Sequence, residues 1–317
     1  MSEIDPKGVF PGGRNPPPLA PGNVPDGYLP LDLVNSAGLA IPVPPPPELV
    51  PGDGPFLDRP GVPPTTKHHA WAWLIYAVAG FVIGQLLAGV FGMIAGVIAG
   101  KTSGQITSIA SAPVPPEWYV VSTLLGLWIG FFGAPWLASR RHGTRHFLAD
   151  LGVRFRLIDL VGIAVGIGGQ IVIIILYLPF QHDIHNFNAP SQKLTGGSHG
   201  GGFLIVALAT VIVAPFMEEL VFRGLLLKAL VRLFTPVVAT PSRARVAGVV
   251  LAVIADGILF GLAHGELVQL AGLAVFGIAL AAISYRTGRL GMNMVAHASF
   301  NLVAVLTILS QRGGLIH

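Results

Sequence analysis

Residues 246–310 decide the fold class, and they read VAGVVLAVIADGILFGLAHGELVQLAGLAVFGIALAAISYRTGRLGMNMVAHASFNLVAVLTILS. Three apolar runs, at 246–264, 267–285 and 290–310, follow one another with only a few polar residues between them. Each run is close to the ~20 residues that a helix needs to cross the hydrocarbon core of a bilayer. The segment therefore predicts three consecutive transmembrane helices.

Four more apolar runs lie upstream, at 71–99, 118–138, 157–180 and 202–222. The total is seven spans, and six to eight are defensible because the first run is over-long and rich in glycine. The whole chain is 52% hydrophobic and only 11% charged, against roughly 25% charged in a soluble domain. The sequence thus predicts an all-α, polytopic bundle of transmembrane helices that contacts the lipid bilayer.

The N-terminal part has a different composition. Residues 1–66 hold 18 of the 27 prolines, which favours a disordered or locally polyproline II segment. No basic stretch followed by an apolar one opens the chain, so we expect no signal peptide. The predicted organisation is a disordered tail at 1–69 and a membrane domain at 70–317, with the chemistry carried by 200–310. Whether the tail binds a partner is left open.

The basic residues lie in short loops between apolar runs. They follow the second, fourth and sixth spans: Arg140, Arg141, Arg145, Arg154, Arg156, Lys228, Arg232, Arg243, Arg245, Arg286 and Arg289. This bias predicts that these loops and the N-terminal tail are cytoplasmic in a multi-pass protein of the cell membrane. The placement in loops argues against nucleic-acid binding. The absence of cysteine from the sequence excludes disulfides, thiolate metal sites and cysteine nucleophiles.

Ionisable residues inside spans are functional candidates because their insertion is costly. In the fourth span, Glu219 and Arg223 are four residues apart, in the order that favours an ion pair on a helix. Glu218 points about 100° away and is left without that partner, so it is a candidate general base. Pro215 favours a kink just before it.

Two further motifs lie in later spans. Phe260 and His264 are four residues apart, which places an aromatic ring on the face that carries the imidazole. Asn293, His297 and Asn301 form one polar stripe on an otherwise apolar helix, and we expect them to turn toward a shared cavity. Each motif alone also fits an interhelical hydrogen-bond seam; together they resemble a hydrolytic site that holds a water.

These three motifs, in this order, resemble those of the CAAX protease and bacteriocin-processing (CPBP, or Abi) family of intramembrane endopeptidases. The resemblance covers about residues 200–310 and implies hydrolysis of a peptide bond in a membrane-associated peptide or protein by an activated water. By this resemblance Glu218 is the general base and His264 its partner in holding the water. His297 and Asn301 stabilise the oxyanion, and Glu219 with Arg223 forms a supporting ion pair beside Phe260.

The resemblance leaves the metal open, because the family is classed with metalloproteases. Glu218, His264 and His297 are suited to hold a zinc ion with one open position, or to hold only water. The sequence has no His-Glu-x-x-His motif. Asp256, two turns before His264, departs from the family pattern. Two roles are open for it: to orient His264 or a metal ligand, or to face a water-filled cleft. We expect the second and do not count Asp256 as catalytic.

Two other functions and one geometric difficulty stay open. The same fold can serve a non-proteolytic immunity or scaffold protein, or a transporter that uses Glu218 and His264 as a proton relay; the oligomeric state is not predicted. In straight spans His264 lies about 19 residues along its helix and His297 about seven, which at ~1.5 Å per residue places them near opposite membrane faces. The site then assembles only if helices are offset, tilted or broken.

Overall fold

Every regular element in the part of the chain that the structure describes is a helix. A computed structural model describes residues 67–180, 200–235 and 243–313. In chain order the helices are α1 Lys67–Ile98, α2 Ser103–Ala110, α3 Glu117–His142, α4 Phe147–Leu151, α5 Gly162–Tyr177, α6 Gly200–Phe234, α7 Arg243–Ala263, α8 Leu270–Thr287 and α9 Gly291–Gly313. Short 3₁₀ turns at Leu157–Val161 and Leu178–Phe180 flank α5.

Seven of the described helices are long and apolar enough to cross a membrane: α1, α3, α5 with its flanking turns, and α6 to α9. This confirms the predicted all-α, polytopic membrane fold. Helix α1 begins at Lys67, and the tail predicted for residues 1–69 otherwise lies outside the described residues.

Helix α6 is longer than predicted. It has 35 residues and a length of ~52 Å, whereas the apolar run at 202–222 predicted a single crossing. Basic residues after position 222 lower the mean hydropathy, and the predicted span therefore ends there. Every residue from 219 to 231 is nevertheless buried, because other helices rather than lipid surround this part of α6.

Two π-helical segments interrupt α6, at Ala209–Val213 and Phe222–Leu226. Between them lies an α-helical segment, Ala214–Val221, that carries both glutamates. Pro215 is the second residue after the first π segment, which agrees with the predicted kink in the helix. Short π segments are rare and occur frequently at functional sites, because they rotate the side chains that follow them.

The other long helices pack around α6 in three pairs: α1 with α3, α5 with α9, and α7 with α8. Close approach of α5 and α9 requires glycine. A Cβ atom at Gly162 would overlap the carbonyl oxygen of Met292, and one at Gly166 would overlap that of Ala296. Small residues allow such close approach between membrane helices, and here they place the helix that carries His297 directly against α5.

The start of α9 is fixed by polar contacts to the loop before α5. The Arg289 Nη1 group donates to the two carboxylate oxygens of Asp159, over 2.8 and 3.0 Å. The backbone N–H of Leu290 donates to the carbonyl oxygen of Gly152 over 2.8 Å. These contacts set the depth at which α9 begins.

Candidate active site

The two adjacent glutamates of α6 face different surroundings. Glu219 is fully buried, whereas 20% of the Glu218 side chain is accessible. Glu218 lines a cavity of about 470 Å³, and Glu219 does not. The ~100° turn between successive helical residues separates them in this way, as the sequence predicted.

Glu218 lies between two imidazoles. Its Oε2 atom is 3.8 Å from Nε2 of His264 and 3.7 Å from Nε2 of His297. Both distances exceed a direct hydrogen bond. This oxygen is enclosed and has no hydrogen-bond partner among the described residues. The structure therefore brings one carboxylate and two imidazoles from three helical regions to one place.

The predicted difficulty with the depth of the histidines does not arise. The ring of His297 is 5.5 Å from that of Phe260 and 5.9 Å from that of Phe276, measured between centroids, so the three rings lie at one depth. His264 follows Phe260 by one helical turn, ~5.4 Å. His297 is early in α9 whereas Phe260 is late in α7. Helix α9 therefore starts deeper in the bundle than α7, and this is the kind of offset that the sequence analysis required for the site to assemble.

The backbone determines the tautomer of His264. This residue directly follows the last residue of α7, and its Nδ1 lies 2.8 Å from the carbonyl oxygen of Phe260. A carbonyl oxygen only accepts, so Nδ1 donates its proton to it. In the neutral ring Nε2 then carries a lone pair and faces Glu218. The ring of Phe260 packs edge-on against this imidazole, with centroids 4.8 Å apart, as predicted.

A carboxylate orients His297 in the same sense. Its Nδ1 lies 3.1 Å from Oε1 of Glu219. The same oxygen accepts from Arg223 Nη1 over 2.9 Å, which favours the ionised form of Glu219. His297 Nδ1 therefore donates, and its Nε2 is left for Glu218. The predicted ion pair between Glu219 and Arg223 is present, and it lies behind the histidine rather than in the cavity.

Arg223 contacts four different groups. Besides Glu219, it donates from Nη2 to the carbonyl oxygen of Gly277 over 3.0 Å, and its Nε is 3.2 Å from Oδ2 of Asp256. Its guanidinium carbon lies 4.4 Å from the ring centroid of Phe260. Asp256 is fully buried and does not line the cavity. The expectation that it faces a water-filled cleft is therefore wrong, because α7 turns it toward Arg223.

The three polar residues of α9, Asn293, His297 and Asn301, each contact α6. The Asn293 amide donates to Oε2 of Glu219 over 3.2 Å and to the carbonyl oxygen of Leu280 over 2.8 Å. Asn293 is buried and does not line the cavity, whereas His297 and Asn301 do. The expected convergence on a shared cavity thus holds for two of the three residues.

Asn301 has a structural partner that the sequence did not indicate. Its Nδ2 donates to the carbonyl oxygen of Thr210 over 2.9 Å. In the π segment the N–H of Ala214 bonds to the carbonyl of Ala209, and the next donor in that pattern would be residue 215, which is proline and has no N–H. Asn301 therefore satisfies a carbonyl that the π segment and the proline leave free.

The cavity extends from the glutamate along α5 and α9, and most of its lining is apolar. Two polar side chains of α5 that the sequence analysis passed over lie in its wall, Gln170 and Tyr177. Gln170 donates to the carbonyl of Phe300 over 2.9 Å, and the Tyr177 hydroxyl accepts from the N–H of Gly272 over 3.2 Å. Polar residues inside an apolar span were the signal that would have indicated them.

The zinc prediction gains no support from the arrangement of donors. Within the described ranges, no group of three or more His, Cys, Asp or Glu side chains is arranged to hold one metal ion. Glu218, His264 and His297 are near one another but do not form such a group. The chemistry below is accordingly derived from the side chains themselves.

One comparison with known proteins gives a match. Residues 200–303 match the family model described as Rce1-like, Type II CAAX prenyl endopeptidase. No significant match was found among curated proteins or among solved structures. The matched residues run from the start of α6 to just past Asn301 and include all three motifs. The segment that carries the candidate site therefore matches this family model, which confirms the resemblance drawn from the motifs.

Proposed function

We propose that this membrane protein is an endopeptidase that hydrolyses a peptide bond of a membrane-associated peptide or protein with a water activated by Glu218. One observation carries the proposal: Oε2 of Glu218 lies 3.7 to 3.8 Å from Nε2 of both His264 and His297, beside the cavity. The family match, whose description names an endopeptidase, supports the same reaction class.

The tautomers explain why water belongs at this place. The Nδ1 protons of both imidazoles are directed away from Glu218, toward Phe260 and Glu219. Neutral rings and an ionised carboxylate then present only acceptors to one another. A water molecule supplies two O–H donors, and it reaches the group from the cavity onto which the accessible part of Glu218 opens.

The proposed reaction needs no covalent intermediate. Glu218 takes one proton from the water. His264 Nε2 accepts a hydrogen bond from the other O–H group and so orients the water oxygen. The water oxygen attacks the carbonyl carbon of the peptide bond, and the electron pair of the C=O π bond moves to the carbonyl oxygen. Collapse of this oxyanion breaks the C–N bond, and the proton held by Glu218 passes to the leaving nitrogen.

His297 is the proposed donor to the oxyanion. The proton that Glu218 takes from the water passes to Nε2 of His297, 3.7 Å from Oε2 of Glu218, and this N–H donates to the oxyanion. Glu219, at 3.1 Å behind the ring, stabilises the positive charge that the ring then carries. His297 returns the proton to Glu218 before the C–N bond breaks. A fixed donor of this kind contributes most in a site that excludes water. One N–H of Asn301 is already bonded to Thr210, so its predicted contact with the oxyanion falls to the second N–H of the same amide.

The largely apolar cavity favours substrate segments that are themselves apolar. Membrane-associated peptides reach such a cavity without leaving the bilayer. The cytoplasmic position of the N-terminal tail and residence in the cell membrane belong to the same proposal. They rest on the distribution of basic residues between the spans.

The test uses the full chain in proteoliposomes. Purified protein is incubated with farnesylated and unmodified CAAX peptides and with a membrane-protein fraction, and products are identified by mass spectrometry. Wild type should cleave at least one substrate, and Glu218→Gln should lower kcat by about 10²-fold or more. Glu117→Gln, the same change at the start of α3 and outside the cavity, serves as the matched control.

Three results would overturn the proposal. Equal cleavage by Glu218→Gln and wild type would remove the general base. If wild type cleaves no substrate, and if wild type and Glu218→Gln protect a host cell equally well, the immunity or scaffold function would be favoured. Uptake of a solute that depends on a pH gradient and is lost in Glu218→Gln would favour the transporter.

A further inference from the structure

Asp256 is a buried carboxylate without a hydrogen-bond donor. None of its side chain is accessible, and neither oxygen has a hydrogen-bond partner among the described residues. Arg223 Nε lies 3.2 Å away, but its N–H is not aligned for a hydrogen bond. Burying an ionised group in this state is unfavourable, so the position of Asp256 calls for a physical reason.

Charge neutralisation does not supply that reason. Glu219 already pairs with Arg223 over 2.9 Å, and this pair alone is neutral. Asp256 places a second acid beside one guanidinium, so it is not needed to balance the charge of Arg223. An acid needed only for charge balance would be unnecessary here.

The geometry around the guanidinium supplies a different reason. Its planar group has three edges, and each faces a different acceptor: Nη1 faces Glu219, Nη2 faces the carbonyl of Gly277, and Nε faces Asp256. The ring of Phe260 covers one flat side at 4.4 Å. Without Asp256 no acceptor lies beside the Nε edge, and only the contacts at Nη1 and Nη2 and the ring of Phe260 hold the plane.

A rotation of the Arg223 guanidinium plane changes the geometry of the candidate active site. The Arg223 Nη1 group and His297 Nδ1 meet at the same oxygen, Oε1 of Glu219. A shift of that oxygen changes the angle at which His297 presents Nε2 to Glu218. We infer that Asp256 is a positioning residue for His297, acting through Arg223 and Glu219. This inference rests on the proposed function, because it assigns a role within the same site.

The kinetic test separates the effect of the Asp256 side-chain oxygen from the effect of side-chain packing at this position. Asp256→Asn keeps an oxygen beside Arg223 Nε, whereas Asp256→Leu removes it at similar volume. Asp256→Leu should lower kcat by about 10- to 100-fold, the size found when outer partners of a reactive group are lost. KM should stay unchanged because Asp256 does not line the cavity, and Asp256→Asn should recover part of kcat.

A double-mutant cycle tests the route through Glu219. In a Glu219→Gln background, adding Asp256→Leu should cause little further loss of kcat. A purely structural role predicts the full additional loss. Asp150→Asn is the matched control, because Asp150 is also a buried carboxylate and accepts a hydrogen bond from Ser139 over 2.6 Å. It should keep kcat within about twofold, since it does not line the cavity and is not part of the network of Asp256, Arg223, Glu219 and His297.

A spectroscopic readout does not depend on turnover. In protein labelled with ¹⁵N-histidine, the His297 signals are identified by their loss in His297→Gln. Asp256→Leu should shift the Nδ1 signal of His297, and Asp150→Asn should not. Unchanged signals and unchanged kcat in Asp256→Leu would overturn the inference while leaving the protease intact. If wild type cleaves nothing, the proposed function fails, and the ¹⁵N comparison still decides the role of Asp256.

Discussion

Arg223 is the group on which the buried charges depend, so Arg223→Met is the most informative perturbation of stability. Arg223, Glu219 and Asp256 all have 0% accessible side-chain surface. Methionine fills a similar space but removes the cation that both carboxylates contact. Two acids then remain buried side by side, with only the neutral donors Asn293 and His297 on Glu219.

The expected magnitude follows from the burial of the network. Removing one partner of a buried ion pair destabilises a protein by about 3 to 5 kcal/mol, because the remaining charge is uncompensated. At ~1.4 kcal/mol per factor of ten, the folding equilibrium constant should fall by about two to three and a half orders of magnitude. The triple variant Arg223→Met, Glu219→Gln, Asp256→Asn has no buried charge at these positions and should recover most of this loss.

The assay is unfolding of the purified protein in mixed micelles by increasing SDS, followed by tryptophan fluorescence. Trp73 is fully buried and is suited to report the transition. If Arg223→Met is as stable as wild type, the buried-charge reasoning is refuted. It is equally refuted if the triple variant is no more stable than the single one, because the deficit would then come from lost packing.

Two further predictions concern the cavity. Asn301→Ala should destabilise the protein by about 1 to 3 kcal/mol, because the Thr210 carbonyl loses its donor, and kcat should fall while KM changes little; a loss confined to KM would argue against it. Cleavage should survive treatment with a strong metal chelator, since the proposed steps use only Glu218 and the two histidines. Activity that chelation abolishes and zinc restores would show that these residues are metal ligands.

The motifs predicted the members of the site better than their arrangement. Glu218, His264 and His297 were identified from their types and their positions in apolar spans, and the structure brings them together. Spacing of four residues also predicted the Glu219–Arg223 pair and the contact of Phe260 with His264. Local spacing is informative because the helical period places such residues on one face whatever the rest of the fold does.

Contacts between distant segments were beyond this reasoning. Arg223, the partner of Asp256, lies on another helix. The burial of Asp256 depends on how α7 is rotated about its own axis, which the neighbouring residues in the sequence do not indicate. The bond of Asn301 to Thr210 joins positions 91 residues apart. It arises only because a π segment and a proline together free one carbonyl.

The sequence by itself determined the all-helical membrane fold, the seven spans and the members of the candidate site, because hydropathy over about 20 residues and a period of 3.6 are local properties. Only the tertiary structure decided the depth of each helix, the burial of the second half of α6 and the direction in which Asp256 faces. Those features depend on contacts between helices, such as Gly166 with Ala296 and Arg289 with Asp159. No local pattern in a single helix encodes the offset that brings His264 and His297 to one carboxylate.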